Sequence, residues 1–252
     1  MSQDSLLVLQ KKILYKTISF SVNNIGEVFL IDENDQLKKI DSKGDSIGVY
    51  NEIGKYGKLS YVESRDPWKT VLFYKDFSTL ILLDKYLNEL TNINLRKKNY
   101  FGVKVVASSY DGNFWMFDEE DETLKKIDQQ GSLLLETTDF RKIFDNSPSP
   151  TILKDREGGV YLYDSSKGLY IFDYYGTFKS KLTLLNWRDF EVLGNMIYGF
   201  DSQYLYTYQK GTLKLNKYLL PTSILPYSAV QVASNKIYFL HDGNIQVFEL
   251  KK

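Results

Sequence analysis

One short pattern returns six times along this chain, and a repeat of that kind constrains the fold more than any single residue can. The copies read Leu37-Lys38-Lys39-Ile40-Asp41, Leu80-Ile81-Leu82-Leu83-Asp84, Leu124-Lys125-Lys126-Ile127-Asp128, Leu169-Tyr170-Ile171-Phe172-Asp173, Leu205-Tyr206-Thr207-Tyr208-Gln209 and Ile245-Gln246-Val247-Phe248-Glu249. Each follows an apolar strand that ends at or beside an aspartate, in turn Asp32, Asp76, Asp118, Asp164, Asp201 and Asp242. Those aspartates span 210 residues in five intervals, a mean spacing of 42, and six such units account for all 252 residues. A period of about 40 to 45 residues with four short strands per unit is a propeller signature. The expected fold is therefore all-β: a six-bladed β-propeller of four-stranded antiparallel blades, in one domain over residues 1–252.

The second strand of each unit is a continuous apolar run. These are Val28-Phe29-Leu30-Ile31, Val71-Leu72-Phe73-Tyr74, Phe114-Trp115-Met116-Phe117, Val160-Tyr161-Leu162-Tyr163, Met196-Ile197-Tyr198 and Ile237-Tyr238-Phe239-Leu240. A strand that does not alternate with polar residues has both faces buried, as blades packed against blades require. Hairpin signals stand before these runs, among them Asn24-Ile25-Gly26, Asp111-Gly112, Gly158-Gly159, Gly194-Asn195 and Asn235. They place the innermost strands at 17–22, 58–64, 103–109, 151–155, 189–193 and 229–233.

After the third strands come Asp41-Ser42-Lys43-Gly44, Asp128-Gln129-Gln130-Gly131 and Asp173-Tyr174-Tyr175-Gly176. Asp at the first and Gly at the fourth position is a type I turn preference, so these carboxylates are read as structural. The last unit holds only three strands before Lys252, and the segment Leu6 to Tyr15 supplies the missing outer one. Ring closure is expected from this N-terminal strand pairing into the C-terminal blade, which removes two open edges.

Composition excludes several classes of activity. Lys plus Arg equals Asp plus Glu at 32 each, so no large field favours nucleic acid or an anionic membrane. No apolar run approaches a membrane span, and Met1-Ser2-Gln3-Asp4 lacks the features of a signal peptide. An intracellular protein and a mature export product both satisfy that. Zero cysteines remove disulfide and thiol chemistry, and a single histidine, His241, removes a multi-histidine zinc site. His241 is read as a turn residue. No phosphate loop, nucleophile elbow or zinc-helix motif occurs. The acidic stretches Asp32-Glu33-Asn34-Asp35 and Asp118-Glu119-Glu120-Asp121-Glu122 lack calcium-loop spacing and are read as solvated edge charge.

The unit Gly158-Gly159-Val160-Tyr161-Leu162-Tyr163-Asp164 with Leu169 to Gly176 resembles that of six-bladed propellers of the NHL and TolB-like type. The stretch from Asp66-Pro67-Trp68-Lys69 to Asp84 resembles the second blade of a family of exported bacterial envelope propellers. That resemblance implies a periplasmic or cell-surface location, leaves a cytoplasmic one open, and implies no activity.

Loops linking one blade to the next are expected on the same face as the turns between second and third strands, where propellers usually bind. They lie near 51–57, 93–102, 138–150, 184–188 and 219–228. The candidate partner-binding residues on them are Arg96, Lys97, Lys98, Tyr100, Phe101, Arg141, Lys142, Trp187, Arg188 and Tyr227, with Lys55 and Tyr56 beside them. Aromatic and arginine side chains give contact area and directed donors at low entropic cost. The resulting expectation is a non-catalytic binding or scaffold propeller engaging a protein in the cell envelope, with no cofactor, no metal and no catalytic residue. Two alternatives remain open. One is a calcium-dependent, lactonase-like hydrolase using Asn99, Asn146, Asn186, Asp189 and Glu191 in the central channel. The other is a glycan-binding propeller with Trp187, Tyr100 and Tyr227 as stacking platforms.

Overall fold

Each apolar run becomes the second strand of a four-stranded antiparallel sheet, and a computed structural model, describing residues 7–250 apart from the side chains of residues 53 and 54, arranges six such sheets in a ring. Blade 1 comprises Ser19–Val22, Val28–Ile31, Leu37–Ile40 and Ser46–Tyr50; blade 2 comprises Tyr61–Glu63, Lys69–Tyr74, Thr79–Asp84 and Glu89–Asn94. Blade 3 is Val103–Ser108, Phe114–Asp118, Thr123–Ile127 and Leu133–Glu136; blade 4 is Ile152–Arg156, Gly159–Asp164, Gly168–Asp173 and Phe178–Leu182. Blade 5 is Asp189–Leu193, Met196–Phe200, Tyr204–Gln209 and Leu215–Leu219. Blade 6 takes Ala229–Ala233, Lys236–His241 and Asn244–Leu250 from the end of the described chain and Leu7–Ile13 from its start.

The innermost strands fall within two residues of where the hairpin signals place them, except in blade 2. Blade 2 starts at Tyr61 instead of 58, because a one-turn helix, Ile53–Tyr56, and the residues after it lengthen the connection from blade 1. Leu6, the expected first residue of the closing strand, lies outside the described residues, as do Met1 to Asp4.

Side chains on a strand point alternately to opposite faces, so the two halves of each apolar run serve two different neighbours. In blade 1, Phe29 and Ile31 pack toward blade 2 with Leu72, Tyr74 and Ile81, while Val28 and Leu30 pack toward blade 6 with Tyr238 and Leu240. In blade 3, Phe114 and Met116 join Val71 and Phe73, and Trp115 and Phe117 join Val160 and Leu162. The core is thus six apolar clusters, one at every blade junction. Outer strands such as Phe178–Leu182 and Leu215–Leu219 are mostly exposed, which is why they lack the apolar run.

The aspartate turns are structural. Asp41 Oδ1 accepts the backbone N–H groups of Lys43, Gly44 and Asp45 at 2.8–2.9 Å, and Asp128 Oδ1 accepts those of Gln130 and Ser132. The Asp45 and Ser132 amides respectively do most to hold these two carboxyls below the ordinary carboxylate range. Gly44, Gly131 and Gly176 take the positive φ that the turn needs, at 105°, 79° and 80°. Blade 2 makes the same turn from Asp84, with Leu87 at φ 70° where the others have glycine. Leu87 is buried in the junction of blades 1 and 2. Its packing offsets the cost of a left-handed non-glycine residue.

Closure follows the expected pairing: Leu7 lies opposite Leu250 and Ile13 opposite Ile245, antiparallel, with one irregularity between Leu9 and Lys11. Leu7 is buried in the cluster between blades 5 and 6. Removing residues 1–15 would delete this ladder and expose the edge of Asn244–Leu250. Counting the lost backbone pairs and the Leu7 burial, the loss is about 5 kcal/mol, which corresponds to a fall in Tm of roughly 10–20 °C. Calorimetry of the truncated chain checks this; an unchanged Tm would contradict the closure.

Candidate functional site

Inter-blade connections and second-to-third-strand turns meet on one face of the ring, tied by backbone hydrogen bonds. Leu95 N donates to Ser78 O, Glu119 N to Gly102 O, Phe140 N to Glu122 O, Asn186 N to Ser165 O, and Leu220 N to Gln203 O, all at 2.8–2.9 Å. Side chains strengthen these ties, as Arg96 donates to Asp76 O and Arg141 to Asp121 O. This is the loop face.

The candidate residues divide into two groups on it. Arg96, Lys97, Lys98, Phe101, Arg141, Lys142 and Arg188 are exposed. Arg96–Lys98 and Phe140–Lys142 each form one turn of 3-10 helix, the second capped by Asp139, whose carboxylate also grips Arg141 at 2.8 Å. Phe101 stands 59% exposed, and Phe77, from the adjacent turn of blade 2, is 52% exposed. Lys75, Lys55 and Lys58 are exposed on the same face. Sequence reasoning passed over Phe77 because its turn reads as an ordinary strand end.

Tyr100, Trp187 and Tyr227, by contrast, are buried. Trp187 stacks on Tyr163 at 6.4 Å between centroids and leans on Tyr206 at 5.5 Å. The slot exists because Gly199 has no side chain; a Cβ there would lie 2.2 Å from the indole. The Tyr227 hydroxyl donates to Asp201 O, and Arg188 donates to Tyr227 O while lying 5.4 Å over its ring. The Tyr100 hydroxyl donates to Gly131 O. The expectation that these three serve as sugar-stacking platforms is corrected: their faces are taken up by blade packing. Tyr56 is buried likewise. His241 sits at the rim, with Nδ1 3.0 Å from Pro226 O and Nε2 3.2 Å from Asp242, as a turn residue would.

Down the ring axis runs a channel of about 720 Å³ lined by residues of all six innermost strands. Its wall carries a buried ion network. Arg156 spans two blades, with Nη2 2.9 Å from Glu63 and Nε 2.7 Å from Glu191. Lys154 lies 3.0 Å from Asp189 and 3.4 Å from Glu191, and also donates to Phe190 O. Tyr61 donates to the second oxygen of Glu63 at 2.7 Å, and the Val192 amide to Glu191 at 3.0 Å. Burial works to raise the Glu191 carboxyl, but Arg156 and Lys154 overcome it and bring it down to about 2. Burial raises Asp189 above its ordinary value against the pull of Lys154. Charged side chains at alternate positions, Lys154 and Arg156, Asp189 and Glu191, were the sequence signal for this network.

Asp189 and Glu191, expected as calcium ligands in the hydrolase alternative, are therefore engaged by protein cations, Glu191 through both oxygens and Asp189 through Oδ1. Asn99, Asn146 and Asn186 are exposed, at the loop face. Among the described residues no group of three or more His, Cys, Asp or Glu side chains could hold a metal ion, and no helix is long and apolar enough to cross a membrane.

On the opposite face, made by first-to-second-strand hairpins and third-to-outer turns, aromatic side chains are exposed. Trp68 and Tyr86 share Lys85, whose ammonium is 4.8 Å from each ring centroid. Tyr110 meets Tyr174 at 5.5 Å, and Tyr174 meets Tyr175 at 4.4 Å. A pocket of about 350 Å³ opens there, lined by Arg65, Lys69, Tyr110, Asn113, Asp155 and Glu157 among others.

No family model matches the sequence, and no curated protein matches it. Solved structures similar to it share the propeller. A catalytically inactive histidine-to-alanine variant of virginiamycin B lyase from Staphylococcus aureus with quinupristin is 11% identical, with TM-score 0.61, over 92% of this chain and 80% of that one. BBS1N in complex with ARL6DN is 12% identical, with TM-score 0.60, over 98% and 97%. BamB from Moraxella catarrhalis is 13% identical, with TM-score 0.54, over 92% and 82%. Identities this low show the fold alone.

The ion network yields a pH prediction. A carboxyl held below its unfolded value stabilises the fold above that value, here 4.5, and loses the contribution as pH falls toward about 2. Thermal melts of Glu191→Gln are expected to show a flatter decline in Tm from pH 5 to 2 than the parent. At neutral pH the variant is less stable by about 3 kcal/mol, since Arg156 and Lys154 lose a buried partner. Identical pH profiles would remove Glu191 from the account.

Proposed function

We propose that this chain is a non-catalytic binding or scaffold propeller that engages a protein partner through its loop face, in the bacterial cell envelope. The observation that carries the reading is that two phenylalanines, Phe77 and Phe101, stand exposed on this face, on segments that also carry exposed Lys75, Arg96 and Lys97. A large apolar side chain left in water among exposed charged residues is the anatomy of an interface anchor and its polar rim. Arg141, Lys142 and Arg188 extend the same face around the ring. That BBS1N was solved in complex with ARL6DN supports the reading, since a propeller of the same size there holds a protein. The envelope location rests on the likeness of Asp66–Asp84 to exported propellers.

An enzymatic reading has less to stand on. The lyase neighbour is inactive without one histidine, whereas His241, this chain's only histidine, is a rim residue bonded to Pro226 and Asp242 and does not line the channel. The hydrolase alternative would require calcium to displace Lys154 and Arg156 from Asp189 and Glu191.

Affinity capture from native bacterial envelopes tests the proposal, comparing the parent with Arg96→Ala, Phe101→Ala and Arg141→Ala combined. Trp187 is left in place because its removal would open a core cavity. The combined variant is expected to lose the partner that the parent recovers. Phe101→Ala alone should cost about 2 kcal/mol, roughly thirtyfold in Kd. Equal recovery by parent and combined variant would show that this face is not the interface.

A second reading, glycan binding, finds its support on the hairpin face. Trp68, Tyr86, Tyr110 and Tyr175 are exposed on it, and Tyr110 lines a pocket that also holds Arg65, Lys69, Asn113 and Glu157, as sugar recognition needs an aromatic plane beside directed donors and acceptors. Calorimetric titration with cell-wall oligosaccharides is expected to show binding that Trp68→Ala with Tyr110→Ala abolishes. Heats that are absent, or equal for parent and variant, would end this reading.

A further inference from the structure

The channel does not share the charge neutrality of the chain. Seven cationic and four anionic side chains line it, whereas the whole sequence sums to zero. Lys154 and Arg156 are matched to Glu63, Asp189 and Glu191, and Lys104 to Glu119 at 2.5 Å. The excess is therefore local. At the loop-face end, Lys58 and Lys75 are exposed and have no ion-pair partner among the described residues. Arg188 there has its guanidinium on Tyr227 instead of a carboxylate, and Asp35 is the one acidic side chain lining that end besides Asp189. At the far end, Arg65 lines both the channel and the hairpin-face pocket. Its Nη2 reaches Glu157 at 3.4 Å, but Nη1 is buried with no hydrogen-bond acceptor, 3.7 Å from Glu191.

A low-dielectric cleft with unmatched charge of one sign at its mouth concentrates ligands of the opposite sign. A buried guanidinium donor without an acceptor is a cost that an incoming carboxylate or carbonyl oxygen would relieve. The innermost strands run from three to six residues, and the longer ones, of five or six, set a channel length of roughly 17–20 Å, so an extended chain of about five residues would reach from the mouth to Arg65.

We infer that the channel receives an acidic peptide segment through its loop-face mouth, with Lys58, Lys75 and Arg188 receiving its carboxylates and Arg65 Nη1 donating to its leading end. The inference rests on the loop-face reading above and assigns the part of the partner that enters the ring.

The test uses the full chain and labelled hexaglutamate as probe, read by fluorescence anisotropy. Hexaglutamate is expected to bind at least about tenfold more tightly than hexaglutamine. Lys58→Glu with Lys75→Glu should weaken it by about tenfold or more with Tm unchanged, since both side chains are exposed. Arg65→Gln is expected to weaken it severalfold, and raising salt should weaken the parent more than the double variant. Free citrate at equal carboxylate concentration should not displace the peptide. Hexaglutamate binding no better than hexaglutamine, or equally well to the double variant, would overturn the inference, and displacement by citrate would overturn its assignment to a peptide. A partner lost by the Phe101 variant yet kept by Lys58→Glu with Lys75→Glu would sink this inference and leave the loop-face reading intact. A partner kept by both would sink the loop-face reading as well.

Discussion

Burial of both faces of every second strand is the constraint from which the rest of the structure follows. A four-stranded sheet with one such strand cannot be stable with either face in water, and each blade satisfies the need with two neighbours. A linear array would leave its first and last sheets bare on one side. Bending the array into a ring supplies the missing cover, and the six junction clusters, from Phe29 against Leu72 round to Tyr238 against Val28, are the result. Because the apolar demand is met between blades, the inner edges and the loops are released from it. That freedom is what allows charge to line the axis.

The axis is stabilised differently from the junctions. Arg156 belongs to blade 4 and bonds Glu191 of blade 5 and Glu63 of blade 2, so one guanidinium ties three blades around the channel. Buried ion pairs recover their desolvation cost only when their geometry and hydrogen bonds are good. Here Tyr61, the Val192 amide and Phe190 O complete the set. The same network sets what the channel can accept: Glu63, Asp189 and Glu191 are already committed to protein cations, while Lys58 and Lys75 at the mouth are not.

Most of the architecture was legible in the sequence because its causes are local and periodic. The apolar runs, the aspartate turns and the three-strand final unit each state a physical need within a few residues. Leu87 shows the limit, since a turn without its glycine was invisible until packing explained the left-handed backbone. The candidate site was less legible. Whether an aromatic residue in a loop is a platform or a plug depends on what the fold packs against it, and Trp187 is a plug because Gly199, on the second strand of blade 5, leaves room for it. Phe77 is the reverse case, an ordinary strand-end residue that the ring happens to leave uncovered. Charge at alternate positions on the innermost strands was present to be read. Its pairing across blades was not, because the ring alone brings Glu63 near Arg156.

The pairing of Leu7 with Leu250 makes the first and last described strands neighbours in the same sheet. A nascent chain cannot form that pair until Leu250 has left the ribosome, so until then the growing propeller is an unfinished arc. The strand Leu7–Ile13 waits solvated while the arc presents a bare flank at either end. Completion is then a single late event that converts a set of neighbour-to-neighbour contacts into one cooperative body.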